Sequence, residues 1–496
     1  MSLTESRAEI IGRTAISAGD ATVASLRAAL AAGTLTAAEL AAFYTDRITR
    51  LNPGLRAVIT ISPDAAAQAA ASDARRVAGA PSGPLDGLPV LIKDNVSAAG
   101  MPATAGSPAL SNAAAADAFL VIRLRAAGAV ILGKANLSEW ANFRSRPSSS
   151  GLSTLGGQAV NPHGTGRSPS GSSSGSAIAV AAGMAPLAVG TETDGSIVSP
   201  ASACGIVGIK PTLGLVSRSG IVPISAAQDT AGPMASTVAD AAVLLSVLAG
   251  ADPADPATEA AAEHATDYSA FCDPAALEGA RLGVWRAGSA NADAATMAVL
   301  DAALSVLRGQ GAQIVDPVEL AGIDKLGDPE FAALTHEFKH DINAYLAGLG
   351  GEHPADLAGL IAFNTRNGAD VLRHFGQEMF EAAEATSGDL ADPDYVQARS
   401  AATTIARDGL DAALREHALD AVVALTGHPA WLTDHVLGDY HGWGTSSPAA
   451  VSGYPSISVP AGSVSGLPVG LSFIGPAWSE PRLTGLAHAF ELSRAR

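Results

Sequence analysis

Apolar positions along this chain follow two periods, and the period changes at turn residues. Leu40, Phe43, Tyr44, Ile48 and Leu51 recur every three to four residues behind Thr36-Ala37-Ala38-Glu39, whose Thr and Glu have capping-box spacing. The pattern predicts a helix ended by Asn52-Pro53-Gly54. Ala57 to Ile61 then reads as a short strand. Pro89-Val90-Leu91-Ile92, apolar on both faces, reads as an interior strand. Val121 to Ala127 predicts helix, and Ala129 to Leu132 another buried strand. Ser176 to Ala182 predicts a helix rising directly out of a Gly/Ser loop, while Ala185 to Val189 and Ile206 to Ile209 predict strands on either side of a second loop. Short strands continue at Leu282 to Trp285, Ala312 to Val315, Ala421 to Leu425, Ser456 to Val459 and Val469 to Ile474.

Strands alternating with helices predict an α/β fold, with a mixed or parallel sheet covered by helices on both faces. The stretch 328–417 differs, being almost wholly helix-patterned with Pro and Gly breaks. It reads as a helical subdomain inserted before the last strands and walling a cleft. With no internal repeat or long linker evident, residues 1–496 read as one domain.

The two loops carry the candidate chemistry. Gly171-Ser172-Ser173-Ser174-Gly175-Ser176 and Thr191-Glu192-Thr193-Asp194-Gly195-Ser196 are joined by the apolar run from Ala177 to Val189. A flexible linker is also rich in Ser and Gly, but it would not carry an apolar run that must be buried. Hydroxyl-rich loops at the ends of buried elements suit an active site. Ser196 is the candidate nucleophile, and the backbone N–H groups of Thr193, Asp194, Gly195 and Ser196 could form an oxyanion hole. Lys93 directly follows an apolar strand, where burial would push it toward the neutral form a general base needs. Ser172 could relay the proton between them. Each piece also has a plainer reading: Lys93-Asp94 as a solvated turn, and the loop serines as helix caps.

Composition narrows the rest. The chain has 496 residues, is 48% hydrophobic with 52 Gly, and has a net charge of −18 from 30 basic and 48 acidic residues. No Lys/Arg cluster occurs, which argues against nucleic acid and anionic membranes as partners. Cys204 and Cys272 make no disulfide framework or metal motif. The N-terminal stretch lacks a signal-peptide pattern, and no apolar run is long enough to span a membrane, so a soluble cytoplasmic protein is expected, as monomer or homodimer. His336-Glu337-Phe338-Lys339-His340 matches the zinc-protease pattern H-E-x-x-H on a helical segment. No third ligand follows at the required spacing, and Phe331, Leu334, Phe338, Ile342 and Tyr345 explain that helix as simply amphipathic, so no metal is expected. No GK[ST] follows Gly175, which removes a P-loop.

The segments GLPVLIKDN, ILGKANLSEW, NPHGTGRSPSGSSSGSAIAVAAG, GTETDGSIVSPASACGIVGIKPT and GYPSISVPAGSVSGLPVGLSFIG resemble the amidase signature family, in the family's order, from about Thr22 to Glu491. The resemblance implies an α/β/α domain around a large mixed sheet and a cofactor-free Ser-cisSer-Lys amidohydrolase. It places the base at Lys93, the bridging serine with its cis peptide at Ser172 and the nucleophile at Ser196. Asn142 falls at a family position lining the site and could donate to a substrate carbonyl or orient Lys93. Two departures stand out. The family's second loop usually reads T-D-x-G-G-S, whereas here Glu192 replaces the Asp and Asp194 the first Gly, so the Asp194 carboxylate must point away from the oxyanion. Ile197-Val198-Ser199 also lacks the arginine that many members carry after the nucleophile, which argues against carboxylate-bearing substrates. The TETDGS variant is similar to the bacterial peptide amidase branch, implying a peptide or small-molecule amide substrate and release of ammonia from a C-terminal carboxamide. A broad aliphatic or aryl amidase, a component of an amidotransferase that works on charged tRNA, and a non-enzymatic binding module are the alternatives.

Overall fold

The computed structural model describes residues 7–12, 14–440 and 442–494. Its centre is an 11-stranded mixed sheet. The strands are β1 (Val58–Ile61), β2 (Pro89–Lys93), β3 (Val130–Ala135), β4 (Leu187–Glu192), β5 (Val207–Lys210), β6 (Thr230–Ala235), β7 (Arg281–Val284), β8 (Gln313–Val315), β9 (Ala421–Leu425), β10 (Ser456–Val464) and β11 (Leu467–Ile474). Their order across the sheet is β1-β3-β2-β4-β6-β5-β10-β11-β9-β7-β8. Strands β3, β2 and β4 run parallel, as do β8, β7 and β9, and the other pairings are antiparallel. Every residue of β2, β3, β4 and β9 is buried, as expected of strands covered on both faces.

Helix α1 (Ala37–Leu55) begins at the expected capping box: Glu39 N donates to Thr36 Oγ1 at 3.0 Å, and Thr36 N to Glu39 Oε2 at 2.9 Å. Its end corrects the expectation. The helix runs through Pro53 and stops at Arg56, which is left-handed at φ 50°. Pro53 lies in the last turn, so the single N–H it lacks is lost where the ladder is already ending. Asn52 fixes the exit by bonding both the N–H and the carbonyl of Val58.

Helix α2 (Ser174–Ala181) is buried along its whole length, and α3 (Val198–Cys204) follows the second loop. A Cβ on Gly175 would collide with Ala57 O and Asn136 N, so glycine is what lets the first turn of α2 sit against the β1 and β3 strand ends.

Strand β6 was not anticipated. Its sequence, Thr-Ala-Gly-Pro-Met-Ala, reads as a turn, yet it lies in the sheet interior. It pairs with β4 over its full length but with β5 only through Met234 and Ala235. Pro233 therefore lies beyond the end of the β5 ladder, where a missing donor breaks no pairing.

Between β8 and β9 come α4 (Gly327–Ala347), α5 (Leu357–Arg366), α6 (Glu378–Glu384) and α7 (Pro393–Glu416). Leu334, Phe338, Ile342 and Leu346 of α4 pack with Leu357, Leu360 and Phe380 in a cluster that also takes in Trp140 and Phe143. No described helix is long and apolar enough to cross a membrane.

Candidate active site

The parallel trio β3-β2-β4 delivers the first groups. Lys93 is the last residue of β2 and fully buried. Its Nζ lies 2.7 Å from Ser172 Oγ, 2.8 Å from Thr191 Oγ1 and 3.1 Å from Thr191 O. All three partners are neutral. Burial pulls the ammonium down to about 7, although the Asp229 and Glu192 carboxylates push the other way. Thr191 comes from the neighbouring strand β4 and also accepts from Asn95 Nδ2 at 2.9 Å. Ser172 is buried and joined to Gly171 by a cis peptide bond.

The two loops are stitched together, since Ser173 N donates to Ser196 O at 3.1 Å. Ser196 is 8% exposed and borders a cavity of about 430 Å³. Among the described residues, no protein acceptor takes the N–H groups of Thr193, Asp194, Gly195 or Ser196. Gly195 has φ +75°, and a Cβ there would meet Ser446 Oγ at 2.8 Å and Ser199 Oγ at 2.9 Å.

Both unusual acids of this loop are accounted for. Glu192 turns inward and accepts from Ile197 N at 2.7 Å and Val198 N at 3.1 Å, clamping the start of α3. Asp194 accepts from Ser446 Oγ at 2.5 Å and Ser447 Oγ at 2.6 Å, so its carboxylate is tied to the chain that follows β9. Burial raises both carboxyls above their usual range, against the pull of Lys210 on each. Thr193 is held from the other side: its hydroxyl donates to Asp229, and Gln228 Nε2 donates to its carbonyl at 3.2 Å. Burial pushes Asp229 up to about 6.

The sequence model of the Amidase family matches residues 39–484, most of the chain. The chain belongs to the Amidase family. A probable amidase of Arabidopsis thaliana is 41% identical over 95% of this chain and 90% of its own length. The native peptide amidase of Stenotrophomonas maltophilia is 49% identical, with a TM-score of 0.90 over 95% of this chain and 96% of that one. A glutamyl-tRNA(Gln) amidotransferase polypeptide of Roseiflexus castenholzii is 37% identical over 95% of each chain. The protein is an amide-hydrolysing enzyme with the amidase signature fold.

In this amidase Asn142 closes a run of three left-handed residues, with Trp140 and Ala141 at φ 53° and Asn142 at φ 72°. Asn142 borders the cavity, donates to Ser150 Oγ at 3.0 Å and accepts from Ser148 Oγ at 3.1 Å. The strained turn is braced by the buried Arg144–Glu139 pair, with Glu139 also accepting from Thr154 N and Oγ1 at 2.6 Å each. The other two buried lysines of the family segments serve the backbone. Lys134 donates to Val96 O and Pro102 O and lies 3.4 Å from Asp94, and Lys210 donates to Pro211 O at 2.9 Å and Tyr454 O at 2.8 Å.

The H-E-x-x-H segment lies on α4, where Glu337 faces inward and its two histidines do not. Glu337 accepts from Ser225 Oγ at 2.6 Å, Tyr395 OH at 2.9 Å, and Arg399 Nε at 2.7 Å. His336 Nδ1 lies against Ala332 O and His340 Nδ1 against Gly388 O. Replacing Glu337 by alanine leaves Arg399 half-buried without its carboxylate. The expected result is a loss of about 3 kcal/mol, read as a lower melting temperature. His336→Ala is expected to leave both melting temperature and activity unchanged, with or without chelator.

Thr191, Asn95, Gln228 and Asp229 are site neighbours that sequence reasoning missed. Thr191 opens the second loop and could have been suspected. Gln228 and Asp229 precede β6, the strand hidden by its Pro and Gly.

Proposed function

We propose that this amidase hydrolyses the C-terminal carboxamide of peptides and releases ammonia, as a cytoplasmic, cofactor-free monomer or homodimer. The observation that carries the chemistry is Lys93, buried with three oxygen neighbours and no carboxylate partner. A neutral amine has two N–H groups, which Thr191 O and Oγ1 accept, and one lone pair, which is left for the Ser172 hydroxyl proton. Lys93 takes that proton, Ser172 takes the proton of Ser196, and Ser196 Oγ bonds to the amide carbon. The free N–H groups of 193–196 hold the oxyanion, each donor contributing about 3 kcal/mol. The C–N bond breaks as the relay returns a proton to the nitrogen, ammonia leaves, and water hydrolyses the ester on Ser196.

The substrate class rests on the likeness to the Stenotrophomonas peptide amidase and on a cavity bordered by no lysine or arginine that would hold a free carboxylate. The test is ammonia release by the purified chain from a dipeptide amide, with benzamide and glutamine alongside. Turnover of the dipeptide amide at the highest kcat/KM is the expected result. Ammonia from benzamide alone, or from glutamine alone, would replace the peptide reading by an aryl amidase or a tRNA amidotransferase component.

A further inference from the structure

We infer that the chain following β9 builds a subsite selective for an aromatic side chain on the residue that bears the scissile amide; this rests on the peptide-amide reading. Gly427 and Gly444 bridge at the base of that excursion. Trp431 is fixed at both backbone and side chain. Ser168 N donates to Trp431 O at 2.7 Å and Thr433 N to Gly166 O at 2.9 Å, zipping the stretch onto residues that lead into the first Gly/Ser loop. The Trp431 indole N–H donates to Asp439 Oδ1 at 2.9 Å, while Asp439 Oδ2 accepts from Ser150 N at 2.9 Å. Asp439 thus joins Trp431 to the loop that carries Asn142, and it is a positioning residue.

Rings gather around His428: Trp431 at 4.9 Å, Tyr440 at 5.5 Å and Trp443 at 6.0 Å between centroids. All four border the same cavity as Ser196. Near Ser196 the lining is small and hydroxylated, at Ser199 and Ser202; Phe143, Ile224 and Leu334 border the cavity as well, and the aromatic wall is the face assigned to the substrate side chain. The cavity's two carboxylates are both engaged, Asp194 by Ser446 and Ser447 and Asp439 by Trp431 and Ser150. With both carboxylates held in place by neutral donors, the rings of Trp431, Tyr440 and Trp443 are what this wall offers a substrate side chain, which suits an aromatic group.

The test measures kcat/KM for ammonia release from three dipeptide amides carrying glycine, phenylalanine or lysine next to the amide. The wild-type enzyme is expected to prefer phenylalanine over each of the others about tenfold or more. Trp431→Ala should lower the phenylalanine-to-glycine ratio about tenfold, and Trp431→Phe, which keeps a ring, should retain most of it. Asp439→Asn should raise KM for the phenylalanine substrate more than it lowers kcat. Val436→Ser lies on the same stretch but at a side chain 86% exposed, and it should leave the ratio unchanged. Equal turnover of all three substrates, or a preference for lysine, by the wild type overturns the subsite even if Trp431→Ala fails to fold. Turnover of none of the three, with benzamide hydrolysed, overturns the peptide reading itself.

Discussion

Replacing Ser196 by alanine is expected to lower kcat about 10⁴-fold or more while leaving the fold intact. The Ser196 hydroxyl makes no hydrogen bond to protein among the described residues, whereas its carbonyl accepts from Ser173 N, and alanine keeps that carbonyl. The substitution removes the proposed nucleophile and no structural contact. Melting temperature should therefore match the wild type. Residual turnover above about a tenth would show that another group attacks the amide.

Lys93 gives the second large effect, and it separates two roles that look alike in a sequence. A structural lysine paired with a carboxylate would be replaced well by arginine. Lys93 has neutral oxygens around it and must be uncharged to accept a proton, so Lys93→Arg should be as inactive as Lys93→Ala. Activity of the wild type should climb about tenfold per pH unit below about 7 and level off above it, following deprotonation of the base. Stability changes in the same sense. The folded state holds the Lys93 ammonium near 7, far below its unfolded value, so between those two values the unfolded chain binds the extra proton. Lys93 therefore destabilises the fold most below about 7, and that cost is relieved as pH rises toward the unfolded value. Lys93→Met should be inactive and, at pH 6, more stable than the wild type. An active Lys93→Arg enzyme, or Met less stable than Lys at that pH, would sink the assignment.

Strands such as β2 and β9 were legible because every position except Lys93, which closes β2, is apolar or small. The α1 capping box was equally plain, since helix starts are written in four consecutive residues. What escaped was set by neighbours distant in sequence. Pro233 is admissible only because β5 stops pairing short of it, a fact about β5 and not about Pro233. Thr191 meets Lys93 because β4 lies beside β2, and Asp229 meets Thr193 because β6 lies beside β4. Asp194 shows the same limit. The sequence required its carboxylate to turn away from the oxyanion, but nothing local pointed to Ser446 and Ser447 as its destination.

That last contact bears on how the enzyme is made. Lys93, Ser172 and Ser196 are all synthesised within the first two-fifths of the chain, but the hydroxyls that hold Asp194 follow Ser196 by about 250 residues. A nascent chain that already carries the three residues proposed for the proton relay still lacks the partners of Asp194. The Asp194 carboxylate thus finds its partners only near the end of translation, when β9 and the chain beyond it join the sheet.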